Sequence, residues 1–500
     1  MVEAILPSAR SCLARLAALG VSVERLTNDS RRVQPGDVFV AYPGERRDGR
    51  EFIDQAVSAG AAAVLWEAEG YAWPEERKVP NLGVHGLRSL AGKIAHELAG
   101  EPSAALWMIG VTGTNGKTSC SQWIASALTG LGRPTAVIGT LGHGFPGALI
   151  GMGNTTPDAI ALHPMLAHYR RLGARCVAME VSSHGLAQDR LSGAHFDVAL
   201  FTNLTRDHLD YHGDMQSYGE AKARLFEWPG LGCAVINVDD AFGRSLVGRL
   251  AAGNVDVLTY GLSGGAISGH RLDLHRLGLD LEIQTPWGAG KLRSPLLGAY
   301  NAVNLLGVLG VLLAAEVPFD DALSALAGLT AAEGRMQTLG GGDRPVIVID
   351  YAHTPDALEQ VLTALRAHLG AGRLVCLFGC GGDRDAGKRP AMGEIASRLA
   401  DAVIVTSDNP RNEDPDRIIV DIVAGARRPV EVEPDRRGAI AGAIRAAHAG
   451  DVILIAGKGH ERWQEIGAER YPFNDAEIAA QCLDGWIPAG SAPDARSARA

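Results

Sequence analysis

The sequence predicts an α/β protein of three domains built on largely parallel sheets, and three observations predict it. At 500 residues the chain exceeds what one hydrophobic core organises, which favours several domains. Apolar runs of strand length alternate with helical stretches in three separate regions, the pattern of strand–helix–strand units. One of those runs, Met108 to Val111, passes through a glycine-rich turn directly into a helical stretch.

Taken in order, residues 38–42 after Asp37 read as a strand, 51–59 as a helix and 61–66 as a second strand, together a small α/β N-terminal domain over 1–101. The turn-prone Gly100-Glu101-Pro102-Ser103 marks a boundary before the strand 106–111. The central domain, 102–336, continues with strands at 175–181, 196–202 and 234–238 separated by helical stretches, which implies a mainly parallel sheet. Glycine-punctuated alternation over 259–298 implies an antiparallel appendage. The apolar stretch 305–317 is shorter than the roughly 20 residues of a membrane span and reads as a buried helix. After Gly334-Arg335-Met336, a strand at 346–350, a helix after Pro355 and strands at 374–378, 402–406 and 452–456 give a third, Rossmann-like α/β domain over 337–487. The tail 488–500, rich in Ala, Ser, Pro and Arg, has nothing with which to build a core and is expected to be disordered.

A formal net charge of -10 gives no general attraction for nucleic acid or an anionic membrane, so anionic ligands must be held by local sites. Seven cysteines, an odd number scattered from Cys12 to Cys482 without metal-type spacing, fit a reducing compartment better than a disulfide framework. The first eleven residues lack the basic start and long apolar run of a secretory signal, so the expected location is the cytoplasm.

The glycine-rich turn is Gly113-Thr114-Asn115-Gly116-Lys117-Thr118-Ser119. Backbone N–H groups at a helix N-terminus hold phosphate oxygens, Lys117 supplies a point charge, and the Thr118 hydroxyl is suited to magnesium. The strict pattern wants glycine at 111, where Val111 stands, with Gly110 and Gly113 flanking it instead. This variant loop makes the central sheet one of P-loop ATPase type and predicts binding of ATP or GTP. Glu180 ends one predicted strand and His208 follows the next, and strand C-termini line the ligand crevice of such sheets. Each alone reads as a hydrogen-bonded structural group. Together they point to Mg2+ on Glu180 and Thr118, with His208 serving a second ion. Lys222, on composition, reads as a solvated helix charge.

Gly113-Thr-Asn-Gly-Lys-Thr118, Glu180-Val-Ser-Ser-His184, Thr202-Asn-Leu-Thr-Arg-Asp-His-Leu-Asp210, Gly298-Ala-Tyr-Asn-Ala-Val-Asn304, Gly334-Arg-Met336 and Asp350-Tyr-Ala-His-Thr-Pro355 together resemble the Mur ligase family, in order and from about Thr27 to Glu461. The resemblance implies domains for a UDP-sugar, for ATP and for an incoming amino acid. It implies that Lys222 is carbamylated and, as an anion, ligates a second magnesium, so that Glu180, His208 and Lys222 hold two ions between them. It places Asn301 and Asp350 near adenosine and Arg335 near the phosphates. Asn28, Ser30 and Glu45-Arg46-Arg47 look like the uridine-diphosphate site; Asn154, Thr155, Thr156, Ser182, Gln188 and Arg190 look like contacts to a muramoyl dipeptide, whose carboxylates suit a guanidinium. Without the resemblance, such Asn-Thr-Thr-Pro and Asp-Ser-Arg runs read as turns.

Within that family, Asp408-Asn409-Pro410-Arg411 resembles the branch that adds meso-diaminopimelate, whereas lysine-adding relatives generally lack that arginine. Diaminopimelate carries a carboxylate beside its second ammonium, which a planar guanidinium grips in a bidentate pair. Glu461, with Gly457 beside it, matches the acceptor for the ammonium, and Arg384 the partner of the other carboxylate. The implied reaction is ATP-dependent: the D-glutamyl γ-carboxylate of the UDP-linked dipeptide becomes an acyl phosphate, which the amine of diaminopimelate attacks, with closure about hinges near 102 and 336. The small molecules are the expected partners, and the chain is expected to be a monomer. A lysine-adding ligase, a folate or polyglutamate ligase and a non-catalytic nucleotide-binding protein are the rival readings. Arg411, the N-terminal domain and the joint presence of Glu180, His208 and Lys222 argue against them in turn.

Overall fold

The structure, a computed structural model, describes residues 8–45 and 47–487, so Arg46 and the tail 488–500 lie outside the described residues. It divides into two compact units, one of residues up to 266 with 310–317, the other of 267–309 with 318 onward.

The first unit opens with a four-stranded parallel sheet in chain order, Leu26–Thr27, Val38–Ala41, Ala63–Glu67 and Asn81–Val84. Its second strand is buried on both faces, as a parallel strand covered by helices requires. The expected helix over 51–59 begins as a 3-10 turn, Gly49–Phe52, whose N-cap Asp48 accepts from the Arg50 N–H, and becomes α-helical at Ile53–Ser58. The outer strands and the helices Ala9–Ala18 and Leu87–Leu98 are elements that the sequence reading did not separate.

The larger sheet of this unit runs Asp256–Gly261, Cys233–Asn237, Val198–Phe201, Trp107–Thr112, Cys176–Glu180 and Thr135–Gly139, all parallel, and ends in the antiparallel pair Gly142–Phe145 and Ala148–Ile150. The chain enters at Trp107–Thr112 and builds outward to both sides of it. The crevice of the fold therefore opens at the C-terminal end of that strand, between Glu180 and Thr202.

The second unit begins with the antiparallel strands Ile267–His275, Gly278–Thr285 and Gly288–Ser294, the expected appendage. Its main sheet runs Gln337–Gly340, Val346–Asp350, Val452–Ala456, Leu374–Phe378, Ala402–Val405 and Glu431–Val432, parallel except for the first. Alternate residues of Val346–Asp350 and Val452–Ala456 enter two different cores. Val348 and Leu454 join helices Pro355–His368 and Lys388–Leu399, while Ile347 and Ile453 join Arg436–Arg445 and Asp475–Asp484. The apolar stretch 305–317 falls within helix Ala299–Ala314 as far as residue 314 and then turns out of it, and no helix among the described residues is long and apolar enough to cross a membrane.

Candidate functional site

Strand Trp107–Thr112 delivers the chain to Gly113, where φ is 146° and a Cβ would stand 1.9 Å from Thr202 Oγ1, so only glycine fits. Gly116 caps helix Lys117–Gly130 without a side-chain bond, leaving the first helical N–H groups to a ligand's oxygens. The Thr114 N–H donates to Asn203 O at 2.8 Å, the Asn115 N–H to Asn203 Oδ1 at 3.0 Å, and the Thr202 hydroxyl to Asn115 O at 2.6 Å. These bonds hold the loop in shape before any phosphate arrives. Lys117 Nζ curls over the loop and donates to Gly113 O and Thr114 O, each at 2.8 Å, while Ser119 is buried in the helix's first turn.

Glu180, 1% exposed, ends the neighbouring strand Cys176–Glu180. Its Oε2 accepts from the Thr118 hydroxyl at 3.1 Å and the Thr140 hydroxyl at 3.0 Å, and its Oε1 from the Thr140 N–H at 2.7 Å. Thr140 was not legible as a site residue, because Gly-Thr-Leu-Gly marks a turn and nothing more. From Glu180 a polar surface continues. Thr155 Oγ1 lies 3.1 Å from Thr140 Oγ1, and Thr156 Oγ1 lies 3.0 Å from Ser182 Oγ. Arg190 donates to Thr156 O at 3.0 Å and to Gln188 Oε1 at 2.8 Å, and Gln188 Nε2 donates to Glu45 at 2.7 Å. Tyr211, unmarked in the sequence, donates its hydroxyl to Glu45. Asn28 and Ser30 are instead bonded to Tyr42 and Gln55, Arg47 stands 5.9 Å from the Phe52 ring, and Asn154 is exposed.

Lys222 corrects its composition. It is 1% exposed on helix Met215–Ala223, donates to Gly113 O at 2.8 Å and lies 4.4 Å from the centre of the Tyr218 ring. Burial first, and the Lys117 charge second, hold its pKa well below the usual lysine range. The mixed polar and apolar run around it marks no buried face, and only tertiary packing creates one. His208 adopts φ 52° at the N-cap of Leu209–His212, its ring 4.8 Å from that of His184. Desolvation is the main cause that holds His184, His208 and His212 below the usual histidine range, toward the neutral form that ligates metals.

Among the described residues, no three His, Cys, Asp or Glu side chains stand grouped as a ready metal cage. Glu180 and the Thr118 hydroxyl nevertheless form a hard oxygen pair beside the phosphate loop, which fits a magnesium ion that completes its shell with phosphate oxygens and water.

In the second unit four loops leave the C-terminal ends of adjacent parallel strands and bring together residues far apart in sequence. Asp350 accepts the N–H groups of Met336 and Ala352, each at 2.8 Å, and burial raises its pKa. The Arg335 guanidinium lies 4.9 Å from the centre of the Tyr351 ring, and its buried Nε has no hydrogen-bond partner. Asn301 is turned to Leu297 O at 2.8 Å. Arg384 is exposed, and Gly457 approaches Asp408 so closely that a Cβ would stand 2.6 Å from Oδ2.

Asn409, between Asp408 and Pro410, donates from Nδ2 to Glu461 Oε2 at 2.7 Å and accepts at Oδ1 from Lys458 at 2.9 Å. Lys458, fully buried, also donates to Glu461 Oε2 at 3.1 Å and Trp463 O at 2.7 Å, so one carboxylate oxygen of Glu461 is anchored and Oε1 is left for a ligand. Arg411 donates from Nε to Glu465 Oε2 at 3.0 Å. Lys458 and Glu465 escaped the sequence reading; the second pairs with a residue 54 positions away, which no local pattern announces.

Family models match three successive stretches: "Mur ligase family, catalytic domain" over residues 22–97, "Mur ligase middle domain" over 111–312, and "Mur ligase, glutamate ligase domain" over 334–459. A UDP-N-acetylmuramoyl-L-alanyl-D-glutamate--2,6-diaminopimelate ligase of Chromobacterium violaceum is 52% identical over 477 residues, covering 95% of this chain and 97% of its own. The enzyme of the same name from Pseudomonas aeruginosa is 53% identical over 468 residues, covering 93% and 96%. A solved structure of a ligase of that name superposes with a TM-score of 0.70 at 38% identity, covering 93% of this chain and 95% of that one. With the phosphate loop, the Glu180 crevice and the Asp408–Arg411 run inside those matched stretches, and with relatives more than half identical over nearly the whole chain, this chain belongs to the Mur ligase family.

Proposed function

We propose that the chain is an ATP-dependent ligase of peptidoglycan precursor synthesis that joins meso-diaminopimelate to the D-glutamyl γ-carboxylate of UDP-N-acetylmuramoyl-L-alanyl-D-glutamate. The observation that carries the reading is the second unit's clasp, in which Asp408-Asn409-Pro410-Arg411 presents a guanidinium while Asn409 orients the Glu461 carboxylate. An amino acid whose distal carbon bears both an ammonium and a carboxylate satisfies both groups, and lysine leaves the arginine unmatched.

A three-part division at 101/102 and 336/337 is supported by three family matches in succession, over 22–97, 111–312 and 334–459. Residues 113–119 cradle the triphosphate of ATP, with Asn301, Asp350 and Arg335 serving adenosine and phosphates. Asn28, Ser30 and the loop 45–47 take the uridine diphosphate, and Asn154, Thr155, Thr156, Ser182, Gln188 and Arg190 take the dipeptide. Arg384 holds the proximal carboxylate of diaminopimelate, with Asp408 and Gly457 shaping the pocket. Mg2+, held by Thr118, Glu180, His208 and Lys222 as its carbamate, supplies charge neutralisation when bound. Burial favours the neutral Lys222 amine, the form that adds carbon dioxide with loss of a proton.

A γ-carboxylate oxygen attacks the terminal phosphorus of ATP and ADP leaves. The amine of diaminopimelate then attacks the acyl carbon, and phosphate leaves as the amine gives up a proton. Lys117 offsets the repulsion between carboxylate and triphosphate, and the loops hold the partners in line. Seven unpaired cysteines suit a reducing cytoplasm, and a monomer is the working state. The test is phosphate release with ATP, magnesium and the UDP-dipeptide. Turnover is expected with meso-diaminopimelate and not with L-lysine; equal turnover with lysine, or none with either, would overturn the reading.

A further inference from the structure

Arg411 carries five N–H donors in a fixed plane, and a bidentate grip on a carboxylate needs one edge of that plane left open and correctly aimed. The structure shows which edges are taken. Nε donates to Glu465 Oε2 at 3.0 Å and Nη1 to Gly382 O at 2.8 Å, which leaves both hydrogens of Nη2 and one of Nη1. An end-on fork takes one hydrogen from each Nη, so these supply it. The backbone at Arg411 is equally constrained. It lies at φ 51°, uncommon for a non-glycine residue, with its N–H donating to Glu465 O at 3.1 Å and its carbonyl accepting from the Gly467 N–H at 2.7 Å.

Glu465 belongs to a two-stranded hairpin, Trp463–Ile466 and Glu469–Pro472, that is fastened to the arginine loop. Gln464 Nε2 donates to Asp408 O at 2.7 Å and the Glu465 N–H to Asn409 Oδ1 at 3.0 Å. The other oxygen of Glu465 accepts from Arg470 Nε at 2.8 Å, and the Arg470 guanidinium lies 4.8 Å from the centre of the Trp463 ring. The carboxylate is thus fixed from behind, and each of its oxygens serves one arginine. Two cations and one anion leave a net positive charge, matching an incoming carboxylate.

We propose that Glu465 is the positioning residue that sets the direction of the Arg411 fork, and so a determinant of selectivity for an amino acid bearing a carboxylate beside its distal amine. Glu465 acts through Arg411 and does not itself touch the substrate. The inference rests on the reading of the acceptor given above. Without the Glu465 carboxylate, Nε has no acceptor and the guanidinium, held only by the Nη1 bond to Gly382 O, can swing about that bond. The backbone bonds at 465, which any residue makes, still hold the hairpin in place.

The test compares the full-length protein with its Glu465→Ala and Glu465→Gln variants, measuring kcat and KM for meso-diaminopimelate, ATP and the UDP-dipeptide. Loss of one charge-assisted bond should raise the diaminopimelate KM roughly ten- to hundredfold in Glu465→Ala. The expectation includes near-normal KM for ATP and the UDP-dipeptide, kcat within a few-fold at saturation, and partial rescue by Glu465→Gln, which keeps one acceptor. An unchanged diaminopimelate KM, or a parallel loss toward all three substrates, would overturn the proposal. An inactive wild-type protein would instead remove the acceptor reading beneath it.

Discussion

On the proposed reading acceptor choice turns on Arg411, and its chemistry predicts how a conservative change fails. Arg411→Lys keeps the charge but loses the planar fork and the Nε bond to Glu465, so the diaminopimelate KM should rise about ten- to hundredfold with the ATP KM unmoved. Steady-state kinetics with each substrate varied in turn would decide it. Lys222 makes a second expectation. Protein equilibrated with 13C-bicarbonate should show a carbamate carbon resonance that disappears in Lys222→Arg; its absence from active protein would refute the modification. At this scale the phosphate loop was legible from its own residues, Glu180 only in company with His208, and the Asp-Asn-Pro-Arg run only through the family resemblance. The sequence was silent on Thr140, Lys458 and Glu465, because a threonine in a turn or a charge near a loop becomes meaningful only through its partner across the fold.

Helices Leu87–Leu98 and Ala159–Arg171 meet through two histidines, and the meeting fixes a tautomer. Ser192 O, 2.9 Å from His163 Nε2, only accepts, so neutral His163 carries its proton there. His163 Nδ1 is then an acceptor, and His96 Nδ1, 3.3 Å away, must donate. Burial lowers the pKa of His163 to about 4 from an ordinary 6.5. Between those values the unfolded chain binds the extra proton. Stability is therefore full above about pH 6.5 and falls as the pH drops toward 4, by about 3 kcal/mol for this group. Urea unfolding at a series of pH values should show that slope, flattened in His163→Gln; equal slopes would refute it. Strand–helix alternation made most central strands readable. The strands Thr135–Gly139 and Trp463–Ile466 were not, since short or mixed runs acquire strand geometry only from a neighbour.

Across the whole molecule, each unit has its own hydrophobic cores, so heating should reveal two transitions. The residues proposed for the acceptor lie entirely in the second unit and those proposed for the dipeptide in the first. Diaminopimelate at a hundred times its Kd stabilises by about 2.7 kcal/mol and should raise only the second unit's transition, by about 5–10 °C. The UDP-dipeptide should raise only the first. Calorimetry in which either ligand moved both transitions alike would contradict that partition. The α/β class and the largely parallel character of the sheets were readable from the chain. The division into units was not, because residues 310–317 join the first while their flanks join the second, a return that no composition shift marks. Finally, the acceptor residues sit on separate loops at the ends of neighbouring strands whose cores they do not enter. Such an arrangement is evolvable: the loops and their fastening hairpin can be exchanged between relatives as cassettes, altering the diet of the enzyme while the sheet beneath is inherited unchanged.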